Sequence, residues 1–122
     1  MAAAERRRAF KFGWYGDNGL GEALIEKILT GEKTATLCPC YDPKEADEGE
    51  LLDVVDKDGK ARAKVRVVRI ETRRFGELDE DLARKVGSNL EDIRRITSYA
   101  NSRQLGDEEE MRATYFELIK IL

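Results

Sequence analysis

The sequence predicts a small α+β barrel rather than a doubly wound sheet, and three observations lead to this prediction. Along the chain the elements read as helix, strand, β-hairpin, two helices and a closing strand, so helices are inserted between strands instead of alternating with them. The strands are few and long, and one breaks its alternation at Val67-Val68, which predicts a bulge or bend. The 122 residues suit one domain with one core, and we see no repeat or linker that divides them.

The chain opens with an arm and a helix. Residues 1–11 contain three arginines without an apolar stretch behind them, so we expect a flexible arm and not a secretory signal, followed by one domain over 12–122. In GLGEALIEKILTG apolar residues recur at helical spacing. Asp17 or Asn18 is expected to cap this helix, and Gly31 to end it.

A strand is predicted next, around Thr34 to Cys38, and an acidic loop with two prolines follows it. Cys38 and Cys40, the only cysteines, are one residue apart, a spacing that does not readily close a disulfide. The chain has no histidine, so a zinc site would need carboxylates or a second chain, and a general base would have to be Lys, Asp, Glu, Tyr or Cys. We expect no metal here and two half-buried strand residues instead.

The stretch LLDVVDKDGKARAKVRVVRIET predicts a β-hairpin, because Asp58-Gly59 is a strong signal for a two-residue type I′ turn. Such a turn fixes which residues of the two strands face each other. The facing pairs expected from it are Leu52 with Val65, Asp53 with Lys64, and Val54 with Ala63.

Basic residues line one face of the second hairpin strand: Lys60, Arg62, Lys64 and Arg66. A stripe of this kind has the footprint that phosphate contacts require. The alternative is a solvated face whose charge is neutralised by the hairpin partner, since Asp53 faces Lys64. The net charge of −3 shows that the whole chain is not a basic nucleic-acid binder, so any such role needs a local patch.

Two helices and a strand complete the chain. They are predicted over ELDEDLARKVG, NLEDIRRITSYANSRQLG and ATYFELIKIL. Asn89 is a plausible cap for the second helix, with Asp92 three residues on. The sequence shows no apolar run near the ~18 residues of a membrane helix, so we expect no membrane contact and a cytoplasmic location.

The order of these motifs resembles the ASCH domain family, the activating-signal-cointegrator homology domains. YGDNGLGEALIEKILTGEKTAT is similar to the family's aromatic-Gly-Asp stretch, helix and Gly-x-Lys-Thr-x-Thr motif, here Gly31, Lys33, Thr34 and Thr36. The resemblance continues through the hairpin and through FGELDEDLARKVGSNLEDIRR, and so covers nearly the whole chain from about Phe12. It implies a PUA-like β-barrel without a cofactor, and the family's relatives commonly bind RNA or modified nucleosides.

The resemblance also implies a cleft that contains Lys33 and Thr36. We expect Trp14 or Tyr41 to stack a base there, although packing is the ordinary role of such rings. If Lys33 faces a ligand, Lys33→Met is expected to leave stability nearly unchanged, because it removes a desolvated charge. The full set of expected ligand-binding residues is Lys33, Thr34, Thr36, Trp14, Asp17 and Tyr41.

Small members of the family deacylate an N-acetylated nucleobase with that Lys, that Thr and a Glu of an Ala-x-x-Glu stretch. The corresponding stretch here is ARKVG, residues 83–87, and Val86 stands where the Glu is expected. As an enzyme the chain would use Thr36 as nucleophile and Lys33 as base or oxyanion donor. The carboxylates that could replace the missing one are Asp17, Glu71, Glu80 and Glu91.

Three functions therefore stay open. The first is binding of RNA, a nucleotide or a modified nucleoside in the cleft. The second is a metal-free amidohydrolase that acts on an N-acetylated cytidine-type nucleoside. The third is a protein-interaction module with a decayed cleft. The oligomeric state is not predicted.

Overall fold

The computed structural model describes residues 9–42, 44, 46–100 and 106–122. Within these ranges the chain forms five strands and three helices, with a 3-10 turn at Phe75–Glu77. They are β1 Ala9–Lys11, α1 Leu20–Leu29, β2 Ala35–Pro39, β3 Leu51–Val55, β4 Ala61–Arg74, α2 Glu80–Val86, α3 Leu90–Ala100 and β5 Glu110–Ile121.

The strands form one mixed sheet in the order β1-β3-β4-β5-β2. β1 runs parallel to β3, and the other neighbours are antiparallel. The two long strands β4 and β5 form the middle of the sheet, which curls into a half-barrel with the helices packed against it. The expected α+β class and small barrel are confirmed.

The first strand corrects the expected boundary between arm and domain. Ala9–Lys11 pair with Asp53–Val55, and the side chain of Phe10 is 1% exposed in the core. A strand of three residues gives no reliable alternation, which is why the sequence did not reveal it. The domain therefore begins before residue 12, and the rest of the expected arm, residues 1–8, lies outside the described residues.

The hairpin has the predicted register but not the predicted turn. Gly59 has a φ of 80°, whereas Asp58 lacks the positive φ that a type I′ turn requires at both positions. Instead, the Asp56 N–H donates to the Lys60 carbonyl at 3.0 Å and closes a three-residue loop. A bulge between Val54 and Val55 then shifts the pairing by one residue. All three expected pairs follow it: Leu52 with Val65, Asp53 with Lys64, and Val54 with Ala63.

The predicted break at Val67-Val68 is a bulge between β4 and β5. Val67 faces Phe116 and Arg69 faces Tyr115, so Val68 is the extra residue. Val67 is fully buried and Val68 is 51% exposed, which shows that the bulge turns one valine out of the core. A bulge of this kind bends the strand locally and increases its twist, which suits a curled sheet.

Two apolar clusters form the core, one under α1 and one under α2 and α3. Ile25 and Ile28 of α1 pack with side chains of β1, β3 and β4 in the first cluster. Leu82 of α2 and Ile93 of α3 pack with β2 and β5 in the second. Each fully buried aliphatic side chain of this size contributes about 1.5–3 kcal/mol to folding, so both helix layers are held firmly on the sheet.

The remaining elements lie close to their predicted positions. β2 begins and ends within one residue of the expected strand, and β5 contains most of the expected closing strand. The Asn89 carboxamide accepts from the Asp92 N–H at 2.9 Å, which confirms the predicted cap of α3. The extension of this helix over residues 101–105 lies outside the described residues.

Neither a membrane helix nor a metal cluster occurs in the described ranges. None of their helices is long and apolar enough to cross a membrane. They also contain no group of three or more Cys, Asp or Glu side chains that could hold a metal ion. Cys38 and Cys40 are half-buried thiols that are not joined in a disulfide.

Candidate functional site

A cavity of about 540 Å³ opens between α1, β2 and the turn that joins α2 to α3. This volume lies within the usual range of small-molecule sites, which are mostly apolar with a few convergent polar groups. The apolar lining includes Phe12, Trp14, Leu24, Leu37, Val86 and Ile93. The polar side chains that reach the cavity are Lys11, Lys27, Lys33, Thr36 and Ser88.

Lys33 lies at the wall of this cavity because α1 ends just before it. Gly31 has a φ of 87° and stops the helix, as predicted. The Lys33 N–H then donates to the Lys27 carbonyl at 2.9 Å, so the chain folds back over the last turn of α1. The side chain of Lys33 is 2% exposed, and its ammonium lies 5.7 Å from the ring centre of Phe12.

The Lys33 ammonium is bound by main-chain carbonyls on two elements. It donates to the Ala35 carbonyl at 2.6 Å and to the Val86 carbonyl at 3.1 Å. β2 is an edge strand of the sheet, where carbonyl groups on the outer side have no strand to pair with. Lys33 therefore joins the free edge of β2 to the end of α2.

Three successive carbonyls at the end of α2 receive donors from the last turn of α1 and the segment that follows it. Helices leave their last carbonyls without internal partners, and cations are favoured at that end of the helix dipole. The three bonds are Thr34 N–H to Lys85 at 2.6 Å, Lys33 Nζ to Val86 at 3.1 Å, and Lys27 Nζ to Gly87 at 2.6 Å. We call this set of three bonds the α2 clamp, and it fixes the turn that lines the cavity.

Gly87 completes the clamp. It ends α2 with a φ of 95°, the left-handed conformation that glycine adopts most readily. A Cβ at this position would lie 3.1 Å from Cδ of Lys27 and 3.3 Å from Cβ of Lys33. The role of Lys27 was not predicted from the sequence, since a lysine in the last turn of α1 is ordinary.

The structure brings Thr36 and Trp14 to the same cavity as Lys33. Thr36 lies in β2, half-buried and paired with Thr114 of β5. Trp14 follows β1, is 41% exposed and lines the cavity. These three expected site residues thus share one cavity.

Asp17, Thr34 and Tyr41 do not line this cavity. Tyr41 is 53% exposed and borders a separate shallow surface beside Gly106 and Glu110. Thr34 serves the backbone, since its carbonyl accepts from the Phe116 N–H at 2.9 Å. Thr34 therefore has a structural contact, and Tyr41 lies on a different surface of the protein.

Asp17 holds the loop that carries Trp14. Its carboxylate is 4% exposed and accepts from the N–H groups of Trp14, Gly19 and Gly21 at 3.2, 3.0 and 2.9 Å. The hydrogen bond from Gly21, together with those from Gly19 and Trp14, lowers the pKa of Asp17 below its ordinary value despite burial. Asp17 therefore caps the first turn of α1, as expected, rather than facing the cavity.

Val86 contributes an apolar side chain at the position where the resemblance described above predicts a glutamate. It is 8% exposed and packs with the α2 cluster at the cavity wall. Other carboxylates considered as replacements are bound elsewhere. Glu71 accepts from Arg73 at 2.6 Å and Tyr115 at 2.9 Å, and Glu80 accepts from the Leu90 N–H at 2.6 Å.

The basic stripe on β4 is partly neutralised within the fold. Arg62 binds both carboxylate oxygens of Glu22 at 2.8 Å, and Asp56 lies 3.4 Å away. The hydrogen bond between Arg62 and Glu22 lowers the pKa of the Glu22 carboxylate and raises the pKa of the Arg62 guanidinium. Lys64 pairs with Asp53 at 3.1 Å.

The other two members of the stripe are exposed. Arg66 donates to a main-chain carbonyl at 3.2 Å, and Lys60 is exposed beside the hairpin loop. The arrangement favours the solvated-face interpretation for Arg62 and Lys64, and phosphate contacts by this stripe stay a prediction.

Comparison with known proteins adds a family and three structural relatives. A model of the ASCH domain family matches residues 11–117. The ASCH domain from Lactobacillus crispatus JV V101 superposes with a TM-score of 0.73 at 18% identity, over 98% of this chain and 85% of its own. A protein from Enterococcus faecalis V583 also gives 0.73 at 18% identity, over 93% and 77%.

The S128A mutant of an ASCH protein from Zymomonas mobilis gives a TM-score of 0.63 at 12% identity, over 95% of this chain and 72% of its own. At these identities the likeness shows a shared fold. Among curated proteins no match is found.

Proposed function

Because the chain belongs to the ASCH domain family, we propose that it binds RNA, a nucleotide or a modified nucleoside in the cavity around Lys33 and Thr36. One observation carries the proposal most directly. A lysine that is 2% exposed lies at the wall of a cavity of about 540 Å³, which Thr36 and Trp14 also line. Concave sites with apolar walls and few polar groups are typical of small-ligand binding.

The chemistry of the lining suits a nucleobase. Phe12 and Trp14 offer ring faces, and base stacking on such rings contributes about 1–3 kcal/mol per base. The Thr36 and Ser88 hydroxyls can donate to or accept from polar groups on the edge of a base. Single bases that leave a stack are recognised in this way in RNA-binding modules.

The cavity favours binding over hydrolysis. An amide hydrolase without metal needs a nucleophile, a base that activates it and an oxyanion donor. Thr36 and the lysines supply hydroxyl and ammonium groups, but Val86 places a buried isopropyl group at the position of the expected glutamate. The cavity keeps its volume and a lining of lysines, hydroxyls and aromatic rings, so the interaction module with a decayed cleft is also less favoured.

Calorimetric titration tests the proposal. The probes are the four ribonucleosides, their 5′-monophosphates, N4-acetylcytidine and short single-stranded RNAs. Trp14→Ala is expected to weaken binding of whichever probe binds by about 1–3 kcal/mol, because a stacking platform is lost. Tyr41→Ala is the matched control, since it removes an exposed ring from a different surface. Binding of no probe, or equal losses in both variants, would contradict the proposal.

A further inference from the structure

The charge of the cavity lining is one-sided. Among the described residues that line it, three are lysines, Lys11, Lys27 and Lys33, and none is aspartate or glutamate. The whole chain has a net charge of −3, so this concentration of positive charge is not a consequence of composition. A cleft of one sign with low-dielectric walls concentrates ligands of the opposite sign.

Lys11 and Lys27 border the cavity with side chains that are not fully buried, unlike that of Lys33. Lys27 donates to the Gly87 carbonyl at 2.6 Å, and an ammonium carries three donors, so one bond does not exhaust it. Lys11 is exposed at the end of β1 and borders the same cavity. Ser88 follows directly after Gly87 and adds a hydroxyl to the lining of the same cavity.

A neutral nucleoside would use little of this arrangement. Its base and sugar offer only partial charges, whereas a phosphate offers three acceptor oxygens and about two negative charges, the chemistry that lysine binds as a point charge. Apolar walls such as those at Phe12 and Trp14 lower the local dielectric, which strengthens any ion pair formed beside them.

We infer that the ligand is a phosphorylated nucleoside, a nucleoside monophosphate, with its base against Phe12 and Trp14 and its phosphate bound by Lys11 and Lys27. This inference rests on the proposed function and narrows it, because a neutral modified nucleoside would also satisfy that proposal. Lys33, held between Ala35 and Val86, keeps the α2–α3 turn and with it Ser88 in place.

The test compares each ribonucleoside with its 5′-monophosphate on the complete chain by calorimetry. The monophosphate is expected to bind at least about tenfold tighter, which is the effect of one charge-assisted hydrogen bond. Its affinity is expected to fall when salt is raised from 50 to 300 mM, whereas that of the nucleoside changes little. Ribose 5-phosphate, which has the anion without the base, is expected to bind weakly.

Variants of Ser88 and Lys27 locate the charge effect. Ser88→Asp places a negative charge in the cavity and is expected to lower monophosphate affinity about tenfold or more, while Ser88→Asn, of the same shape and neutral, is the matched control. Lys27→Gln keeps a donor for the Gly87 carbonyl but loses the charge. It should therefore reduce the difference in affinity between the monophosphate and the nucleoside. Melting curves show whether each variant is folded.

The outcomes separate this inference from the proposed function. Nucleosides that bind as tightly as their monophosphates overturn the inference and leave nucleoside binding intact. Ribose 5-phosphate that binds as tightly as the monophosphates makes the cavity a general anion site and also overturns it. The same holds if Ser88→Asp and Ser88→Asn have equal effects. If neither nucleosides nor nucleotides bind, the proposed function itself has failed.

Discussion

Lys33 donates from its ammonium to the Val86 carbonyl, 3.1 Å away, and so ties the segment after α1 to the residue that ends α2. The two residues are 53 positions apart in the chain, and no local pattern connects them. The bond makes Lys33 part of the scaffold of the cavity as well as part of its lining. This dual role changes what substitution of Lys33 is expected to do.

Lys33→Met is expected to lower the free energy of unfolding by about 1–3 kcal/mol. The carbonyls of Ala35 and Val86 would lose the charged donor that binds them, and buried acceptors without donors cost this much. The sequence alone predicted nearly unchanged stability, because it showed the desolvated charge and not the carbonyls that bind it. Urea denaturation of the parent and the variant measures the difference.

Lys85→Met is the matched control for this prediction. Lys85 lies on α2 with 44% of its side chain exposed, where it pairs with Asp81 one helical turn away. Exposed pairs of this kind contribute little, so the control should change stability by less than about 0.5 kcal/mol. Parent-like stability of Lys33→Met would show that the Lys33 ammonium does not hold α2 to β2.

The segment around Lys33 shows which structural features can be predicted from the sequence and which cannot. The helix, its glycine stop and the strand after it follow from local patterns, and each is confirmed within about one residue by the structure. The presence of Lys33 and Thr36 at a cavity was expected only from the resemblance to the family. The acceptors of Lys33 were not predicted, because they depend on how α2 docks against β2.

The hairpin shows a correct register reached by a different route. A three-residue loop and a bulge at Val54 together shift the pairing by the same amount as the two-residue turn that Asp58-Gly59 predicted. The burial of alternate residues, which fixes register, was visible in the sequence, whereas the bulge was not. Strand β1 was missed because three residues are too few to show a period.

Gly21→Ala is expected to destabilise the fold by about 3 kcal/mol. A Cβ on Gly21 would lie 2.2 Å from Cα of Gly13, where the loop after β1 crosses the first turn of α1. Backbone must move to accept it, and overpacking of this kind typically costs 1–3 kcal/mol or more. Thermal melts measure the loss.

Gly106→Ala provides the comparison for Gly21. A Cβ on Gly106 meets no atom within 4 Å, so the same chemical change occurs there without a clash. Its stability should match the parent or rise slightly, since alanine restricts the unfolded chain. If Gly21→Ala and Gly106→Ala have the same melting temperature, the close approach of the loop and α1 does not constrain the fold.

Thr36→Val is expected to weaken binding of the ligand by about 0.5–1.5 kcal/mol, the usual contribution of one neutral hydrogen bond. The substitution keeps the β-branched shape in β2 and deletes a hydroxyl at the cavity wall. Stability should change little, because valine suits a strand. Calorimetry measures the affinity, and an unchanged affinity would remove Thr36 from the site.

If N4-acetylcytidine is hydrolysed by the parent and only bound by the variant, Thr36 is a nucleophile and the enzymatic alternative is correct.

Arg62→Gln is expected to reduce stability by about 1 kcal/mol and to leave RNA affinity unchanged. Arg62 binds both oxygens of Glu22 and lies 3.4 Å from Asp56, so its charge serves the contact between α1 and the hairpin. For single-stranded RNA each lost phosphate contact would flatten the log-log salt dependence of binding by roughly 0.7. A flatter salt dependence for Arg62→Gln would restore the phosphate-binding interpretation of the stripe. Arg66→Gln tests in the same way whether the exposed Arg66 contacts phosphate.

Asp17 is expected to make the fold sensitive to acid. Hydrogen bonds from the N–H groups of Gly21, Gly19 and Trp14 hold the pKa of Asp17 below its ordinary value of 3.8 in the folded chain. Below that value the unfolded state binds more protons than the folded state, so acid shifts the equilibrium towards unfolding. The stabilisation from Asp17 is complete above about pH 5 and is lost as the pH falls through the folded pKa.

Asp17→Asn isolates this contribution from the other carboxylates with lowered pKa values, such as Glu22 and Asp56. The asparagine keeps an oxygen that can accept from the Gly21 N–H but does not titrate. The variant should be less stable than the parent at pH 7, because a charge-assisted cap is lost, and the difference between them should shrink between pH 5 and pH 2. Urea denaturation at several pH values measures both curves. Parallel curves over this range would show that Asp17 ionises in the folded chain as it does in the unfolded one, and that its three hydrogen bonds do not depend on its charge.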